Sequence, residues 1–146
     1  MVSHANEIIP GLWIGDLYSS QDKDFFKAFG IRCVINATTH IPPAPFYRQM
    51  KISFKRVPVY DSNEAENLSL MLKHKPSAVS FINGAQKLQH PTLVHCHAGM
   101  QRSATIVAFY LMEYYKMSKK KAIKYIKKRR DICFEPVPTF DKLLSR

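Results

Sequence analysis

The residues with the clearest chemistry lie in the segment Val94-His95-Cys96-His97-Ala98-Gly99-Met100-Gln101-Arg102-Ser103. In this segment a cysteine follows a short apolar stretch, five residues separate it from an arginine, and a serine comes directly after the arginine. A thiolate is a strong nucleophile, and a guanidinium can donate two parallel hydrogen bonds to a phosphoryl group. The spacing therefore predicts that Cys96 attacks the phosphorus of a bound phosphate group that Arg102 holds.

The loop between Cys96 and Arg102 is suited to binding the oxygens of such a group. Successive backbone N–H groups in a tight turn can converge on an anion, and the N-terminus of the following helix adds partial positive charge. Because it has no side chain, Gly99 permits a backbone turn that other residues would obstruct. The helix N-terminus and the nearby cation also favour the charged form of a thiol, so Cys96 is expected to react as a thiolate. The candidate substrate-binding residues are His97, Ala98, Gly99, Met100, Gln101 and Arg102.

The residues next to this pair are assigned supporting roles. Ser103 is predicted to hydrogen-bond the sulfur and to help it leave when the phosphorylated enzyme is hydrolysed. His95 is predicted to order the loop by hydrogen bonding, because a thiolate needs no general base. His97 is interpreted as a loop or rim residue and not as a metal ligand, since the segment shows no metal-binding motif. We therefore expect neither a metal ion nor a cofactor.

At these residues the chain resembles the dual-specificity branch of the protein tyrosine phosphatase superfamily, through the signature H-C-x5-R-S. Three further segments are similar to that branch, and the resemblance covers most of the chain: Ile9-Pro10-Gly11-Leu12-Trp13-Ile14-Gly15, Val34-Ile35-Asn36, and Arg129-Arg130 with the later Pro136 and Phe140. The length fits a catalytic domain alone, spanning residues 1–146. The resemblance implies a protein phosphatase that hydrolyses phosphotyrosine and phosphoserine or phosphothreonine through a cysteinyl-phosphate intermediate.

The resemblance also implies roles for residues outside the signature. The family places an aspartate on a loop after a strand, and Val57-Pro58-Val59-Tyr60-Asp61 matches this position. Asp61 would protonate the departing oxygen and then act as a base on the hydrolytic water. Asn36 either hydrogen-bonds the phosphate-binding loop, as the family suggests, or is a turn residue at a strand end.

The chain departs from the branch's pattern at Gln101, where serine is usual. The backbone N–H of Gln101 is still expected to face the phosphate, which leaves the shape of the rim and the substrate preference open. Two other functions also stay open: the same chemistry on RNA 5′-phosphates or phosphoinositides, and a phosphate-binding scaffold with little turnover. Related lipid phosphatases tend to carry lysines inside the signature, and inactive relatives usually lose the cysteine or the arginine. This chain fits neither description.

Positive charge dominates the chain and is unevenly distributed. The net charge is +11, and nine of the 22 basic residues lie between Lys116 and Arg130, where there is no acidic residue. A basic surface attracts acidic phosphoproteins, nucleic acid or anionic lipid, although a lysine run is most often the solvated face of a helix. We expect a phosphorylated protein as the partner. An acidic sequence would suit the basic surface, and nucleic acid is permitted but disfavoured.

Cysteine usage and the apolar runs indicate the compartment. The three widely spaced cysteines form no pattern typical of zinc sites or secreted disulfide frameworks. The longest apolar run, residues 104–112, is too short to span a bilayer, and the N-terminus shows no secretory signal. These features predict an intracellular protein of the cytoplasm or the nucleus, with no membrane span.

A framework of alternating strands and helices must position these residues. Strands are predicted at residues 12–15, 33–37, 54–60 and 92–95. Helices are predicted after a capping box at residues 19–22 and ending at Gly30, at 68–88 with Pro76 dividing the helix or starting a second one, at 102–117, after Ser118, and after Thr139. This alternation predicts one α/β domain with a mostly parallel central sheet of four to five strands flanked by helices.

Overall fold

A sheet of five strands forms the centre of the structure, a computed structural model that describes residues 3–145. The strands are β1 (Ala5–Ile9), β2 (Leu12–Gly15), β3 (Cys33–Asn36), β4 (Ser53–Arg56) and β5 (Thr92–His95). Their order across the sheet is β1-β2-β5-β3-β4, in which β1 pairs antiparallel with β2 and the other pairs are parallel. The predicted α/β fold with a mostly parallel sheet is confirmed.

Helices connect the strands and cover the sheet. They are α1 (Leu17–Ser20), α2 (Lys23–Phe29), α3 (Phe46–Gln49), α4 (Ala65–Lys87), α5 (Arg102–Tyr114) and α6 (Lys119–Arg129), followed by a 3-10 helix at Asp141–Leu143. Gly30 ends α2 in the left-handed conformation, and Ser118 caps α6 by accepting a hydrogen bond from the Lys121 N–H. Both of these helix ends agree with the sequence prediction.

The strands bury apolar side chains on both faces of the sheet. Along a strand successive side chains point to opposite faces. Val34 and Leu93 accordingly belong to an aromatic-rich cluster, which also contains Trp13, Phe26 and Tyr47. Their neighbours Ile35 and Val94 belong to the larger core, which also contains most of α5. Burial on both faces fixes the register of β5, and it thereby fixes the point at which the chain leaves the sheet towards Cys96.

Three parallel strands end beside one another at one edge of the sheet. Gly15, at the end of β2, and Asn36, at the end of β3, are both in register with His95 at the end of β5. Ligands of open α/β sheets bind at the carboxyl ends of the strands. The loops that follow β2, β3 and β5 therefore meet where the predicted phosphate-binding loop begins.

The structure corrects the prediction that Pro76 divides the helix at residues 68–88. Helix α4 runs without interruption from Ala65 to Lys87, with Pro76 inside it. Proline removes one backbone donor and crowds the preceding turn, at a cost of about 3 kcal/mol in a helix interior. Met71, Ala78 and Ile82 nevertheless bury a continuous apolar stripe on either side of Pro76. Tertiary packing thus outweighs the local preference for a break.

Further differences concern helix caps, the bounds of a strand and one strand that was missed. The predicted capping box is wrong, because Asp16 caps α1 and Asp22 caps α2 through their own side chains. The strand predicted at residues 54–60 is the shorter β4, and Thr139 is not a cap, since Phe140 occupies that position before the 3-10 helix. Strand β1 was not predicted. It pairs only with β2 at the sheet edge and contains the polar pair Asn6-Glu7, so its sequence lacks a continuous apolar pattern.

Candidate active site

The sheet presents Cys96 at the end of its central strand. Cys96 directly follows β5 and is 2% exposed. Its backbone N–H donates to the Gly15 carbonyl at 3.4 Å, which ties the start of the loop to the end of β2. Its Sγ lies 3.2 Å from Ser103 Oγ in the first turn of α5. The predicted contact between the sulfur and the hydroxyl is therefore present in the geometry.

The carbonyl groups of the loop are all bound by groups outside it or by α5. The N–H of Leu17 donates to His97 O at 2.9 Å, and the N–H of Phe134 donates to Met100 O at 2.8 Å. The Arg130 side chain donates from Nε to Gly99 O at 2.8 Å and from Nη2 to Ala98 O at 3.2 Å. These bonds fix the loop through its carbonyl oxygens, so the backbone N–H groups of the loop are not needed to hold it in place.

The backbone N–H groups of residues 97–101 donate no hydrogen bond within residues 3–145. They precede the N-terminus of α5, where the helix dipole is positive. Such a run of unpaired N–H groups at a helix N-terminus binds anions. The predicted phosphate-binding residues therefore carry a consecutive run of unpaired backbone donors.

Arg102 lies at the start of α5, and not all of its side-chain N–H groups are hydrogen-bonded within residues 3–145. Its Nη1 donates to the Val59 carbonyl at 3.3 Å, while its buried Nε has no hydrogen-bond partner among residues 3–145. A guanidinium carries five N–H donors. The bond to Val59 orients the side chain, and the remaining donors can bind an anion in the bidentate manner.

Gly99 occupies a position that requires glycine. Its φ is +68°, in the left-handed region, and an added Cβ would lie 2.6 Å from the Gly15 carbonyl oxygen. It would also lie 2.8 Å from the Arg130 side chain. The close approach of the loop to β2 and the left-handed turn both exclude a side chain here, as the sequence predicted.

His95 ends β5 directly before Cys96, and Asn36 ends the neighbouring strand β3 in register with it. Burial lowers the pKa of His95 to about 4, so the imidazole is neutral at pH 7, and its Nδ1 lies 3.3 Å from the Cys96 carbonyl oxygen. The side chain of Asn36 donates to Ile41 O at 2.8 Å and accepts from the Thr38 N–H and hydroxyl. Of the two roles left open for Asn36, these bonds correspond to the turn residue and not to a contact with the phosphate-binding loop.

An open cleft of about 810 Å³ lies beside the loop. Residues 61–64, residues 135–139, His40 and the loop residues His97, Ala98, Met100, Gln101 and Arg102 line it. Asp61 therefore shares one cleft with Arg102. Asn67 holds the segment around Asp61, because its side chain bonds both the N–H and the carbonyl of Tyr60 and the carbonyl of Ser62.

The other two thiols differ from Cys96 in their surroundings. Burial raises the pKa of Cys33 and raises that of Cys133 to about 12, so both remain protonated thiols. Cys33 lies within β3, and Cys133 Sγ lies 3.7 Å from the Gly99 carbonyl that it faces. All three cysteines are free.

Sequence reasoning missed the structural roles of Asn67, Arg130 and the Gln101 side chain. Arg130 is 2% exposed although it belongs to the lysine-rich run that was interpreted as a solvated surface. The only signal for Arg130 was its place in the C-terminal pattern shared with the family, and Asn67 had none. Among residues 3–145, no three His, Cys, Asp or Glu side chains are grouped so that they could hold a metal ion. No helix in the same range is long and apolar enough to cross a membrane.

Comparison with known proteins places this geometry in a family. The family model of the catalytic domain of dual specificity phosphatases matches residues 12–145. Dual specificity protein phosphatase 1-B of Xenopus laevis is 33% identical over 126 residues, which are 86% of this chain and 32% of that protein. Human dual specificity protein phosphatase 7 is 32% identical over 85% of this chain and 28% of its own length. The chain thus spans about a third of the length of these curated relatives.

A solved structure extends the similarity to the whole described fold. Human DUSP28 superimposes with a TM-score of 0.83 and 25% sequence identity, covering 99% of this chain and 92% of that one. The family match and the superposition both include the strand, loop and helix that carry Cys96 and Arg102. The chain belongs to the dual specificity phosphatase family.

Proposed function

We propose that this chain is a protein phosphatase that hydrolyses phosphotyrosine and phosphoserine or phosphothreonine through a phosphorylated Cys96. The observation that carries the proposal is the set of unpaired backbone N–H groups of residues 97–101. In sequence these residues lie between Cys96, which carries the sulfur, and Arg102, whose Nε also has no hydrogen-bond partner. These donors match the oxygens of a phosphoryl group that is in position for attack by sulfur. Family membership supports the same activity.

The reaction has two displacement steps at phosphorus. In the first, the Cys96 thiolate attacks phosphorus, the bond from phosphorus to the leaving oxygen breaks, and Asp61 gives its proton to that oxygen. In the second, water attacks the phosphocysteine, Asp61 accepts a proton from the water, and the P–S bond breaks. The Ser103 hydroxyl, 3.2 Å from Sγ, donates a hydrogen bond to the sulfur as it regains its negative charge.

The lining of the cleft favours a protein substrate. Arg102 and two histidines, His40 and His97, are the basic residues among the lining side chains within residues 3–145, and no lysine is present. A phosphoinositide headgroup or an RNA 5′-triphosphate carries several phosphates, and each additional phosphate would need further cations near the first. The single guanidinium suits one phosphate on a peptide.

The proposal extends to the domain and the compartment. Residues 1–146 form the phosphatase domain, and the protein acts in the cytoplasm or the nucleus. Its three free thiols support a reducing compartment, in which Cys96 stays available for attack. Neither a metal nor a cofactor enters the proposed reaction, since sulfur, the N–H groups and Asp61 supply the nucleophile, the anion site and the proton.

The experiment that tests the function is the substitution Cys96→Ser. Because an alcohol lacks the nucleophilicity of a thiolate, we expect turnover of phosphotyrosine and phosphothreonine peptides to fall by at least about 10³-fold while phosphopeptide binding is retained. Phosphate release and fluorescence anisotropy measure the two quantities. Cys33→Ser is the matched control and should keep its activity. Cys96→Ser activity near that of the unchanged protein would refute the mechanism, as would failure to trap a phosphocysteine by acid quenching and mass spectrometry.

The substitution Asp61→Asn tests the proton donor. A general acid contributes about 10²–10⁴-fold when the leaving group needs a proton, and much less when the leaving group is already stable as an anion. We therefore expect kcat/KM, which reports the first displacement and not the hydrolysis of the phosphocysteine, to fall by about 10²-fold for phenyl phosphate and by less than about tenfold for 2,4-dinitrophenyl phosphate. Asp24→Asn, on exposed α2, is the control. An equal loss for both leaving groups would remove Asp61 from the role of acid.

A further inference from the structure

The side chain of Gln101 turns away from the phosphate-binding loop and is 6% exposed. Its Nε2 donates to two carbonyl oxygens, those of Glu135 and Val137, each at 3.0 Å. Its Oε1 accepts from the Thr139 N–H at 2.9 Å. Two acceptors on one end and a donor on the other fix the orientation of the amide group without ambiguity. One side chain thus binds three backbone groups within five residues of the chain.

These three bonds add to the other contacts of the segment of residues 135–139, which include the bonds from Glu135 N–H to Ile132 O and from Asp141 N–H to Pro138 O and the ion pair of Glu135 with Lys127. Its sequence is Glu135-Pro136-Val137-Pro138-Thr139, and the two prolines have no N–H to donate. Within residues 3–145, the carbonyls of Glu135 and Val137 accept hydrogen bonds from Gln101 alone. The segment joins no strand or helix, so its backbone is bonded by the side chain of Gln101 and not by a neighbouring strand.

The 135–139 segment lines the cleft together with Arg102 and residues 61–64. Gln101 is therefore a link between the residue beside the phosphate-binding arginine and one side of the cleft. Serine, the residue usual at this position in the resembling branch, has a single hydroxyl on a one-carbon side chain. It cannot reach three backbone groups, so the bonds that hold the 135–139 segment require the glutamine that departs from the pattern.

We propose that Gln101 is a positioning residue that fixes the 135–139 segment as an apolar wall of the cleft, and that this wall selects an apolar side chain next to the phosphorylated residue. This inference rests on the proposed function. Pro136, Val137 and Pro138 supply the apolar surface, and Val137 is 67% exposed. The one charged group of the wall, the Glu135 carboxylate, is paired with Lys127 at 2.6 Å. No cation of the wall is available to an acidic flanking residue, whereas an apolar one buries surface there.

The first experiment measures the wall without using turnover. Gln101→Met keeps the size of the side chain and removes its amide group, so the Thr139 N–H loses its acceptor. We expect amide hydrogen exchange of Thr139, measured by NMR, to accelerate at least about tenfold. Exchange at Val94 in β5 should stay the same and reports an intact fold. Gln86→Met, which removes a glutamine bonded to the Pro10 carbonyl, is the matched control and should leave Thr139 unchanged. Unchanged exchange of Thr139 in Gln101→Met would overturn the inference.

The second experiment measures selectivity with phosphotyrosine peptides that carry leucine, glycine or glutamate on either side of the phosphotyrosine. The unchanged protein should prefer leucine to glutamate at one flanking position by at least about fivefold in kcat/KM. In Gln101→Met and Gln101→Ser, we expect this preference to fall below about twofold, mainly because KM for the leucine peptide rises. A loss confined to kcat and equal for all peptides would indicate damage to the phosphate-binding loop and overturn the role in selectivity.

Phenyl phosphate, which has no flanking residue, separates two kinds of failure. If the protein without substitutions hydrolyses neither phenyl phosphate nor any peptide, the proposed function is contradicted. The amide hydrogen exchange of Thr139 then still decides whether Gln101 holds the wall. An unchanged protein that hydrolyses phenyl phosphate and all peptides without a flanking preference contradicts the selectivity assigned to the wall. Substitution Val137→Asp provides the converse check, because it should lower the preference for leucine at the same flanking position.

Discussion

The loop from Cys96 to Arg102 has two chemically different sides. Donors from Leu17, Phe134 and Arg130 bind its carbonyl oxygens, whereas the N–H groups of residues 97–101 bind nothing within residues 3–145. Electrostatic stabilisation of a reacting group is effective when its donors are already oriented, because no reorganisation then accompanies the reaction. The hydrogen bonds to the carbonyl oxygens therefore support the proposed chemistry, because they fix the direction in which the N–H groups point.

The buried imidazole of His95 makes the stability of the fold depend on pH. Burial lowers the pKa of His95 to about 4, below the unfolded value of about 6.5. Between these values the unfolded chain binds a proton that the folded chain does not, so stability falls as the pH is lowered from about 6.5 to about 4. The contribution that is lost is on the order of 3 kcal/mol. Urea denaturation at several pH values measures it.

Removal of the titrating group isolates this contribution. His95→Asn should flatten the fall in unfolding free energy between pH 6.5 and pH 4 by about that amount, whatever it does to stability at pH 7. Equal slopes for His95→Asn and the unchanged protein would show that the folded imidazole titrates as freely as the unfolded one.

At the scale of elements, the sequence predicted the parts of the fold that one continuous apolar pattern specifies. Strand β5 and its loop were predicted with the bounds that the structure shows, because four buried residues precede Cys96 without interruption. Edge strand β1 and the uninterrupted course of α4 were not predicted, since their formation depends on residues elsewhere in the chain. The same reason explains the site: Cys96, Ser103 and Arg102 are neighbours in sequence, whereas the contacts of Arg130, Asn67 and the Gln101 side chain are made by tertiary structure.

Helix α4 offers a direct measure of how packing overrides a local preference. Pro76 is exposed within this helix, so its replacement removes little buried surface. Pro76→Ala restores a backbone donor and gains about 3 kcal/mol of helix preference, of which the more flexible unfolded chain offsets about 1 kcal/mol. We expect the free energy of unfolding to rise by about 1–2 kcal/mol in urea denaturation.

A matched exposed substitution separates this effect from a general preference for alanine. Lys73→Ala, one turn away on α4, should change stability by less than about 0.5 kcal/mol. A loss of stability in Pro76→Ala would mean that the proline contributes more by restricting the unfolded chain than it costs in the helix.

At the scale of the whole molecule, positive charge and the cleft are separated. The net charge is +11, yet no lysine lines the cleft among residues 3–145. The charge is concentrated on α6, where a surface groove is lined by Ile123 and lysines, and Lys120, Lys124 and Lys128 are exposed and join no ion pair within the same range. Lysines of α6 thus lie outside the cleft, and under the proposed function we expect them to act on the approach and docking of acidic substrates.

The dependence of KM on salt tests whether α6 attracts acidic substrates. Exposed charges are screened over about 10 Å at 0.1 M salt. If α6 binds acidic residues away from the phosphorylated one, raising NaCl from about 0.05 M to 0.3 M should raise KM for an acidic phosphopeptide by about three- to tenfold, and leave KM for phenyl phosphate within about twofold.

Two triple variants that lower the net charge by the same three units distinguish the helix from the overall charge. Substituting glutamine for Lys120, Lys124 and Lys128 changes α6, whereas substituting it for Lys23, Lys27 and Lys87 changes exposed lysines of α2 and α4. Local binding at α6 requires that only the first variant loses the salt dependence for the acidic phosphopeptide. Equal losses in both variants would assign the attraction to the summed charge of the molecule, because a long-range field depends little on which three lysines are removed. A KM independent of salt in the unsubstituted protein would leave α6 as a solvated surface whose lysines have no part in choosing the substrate.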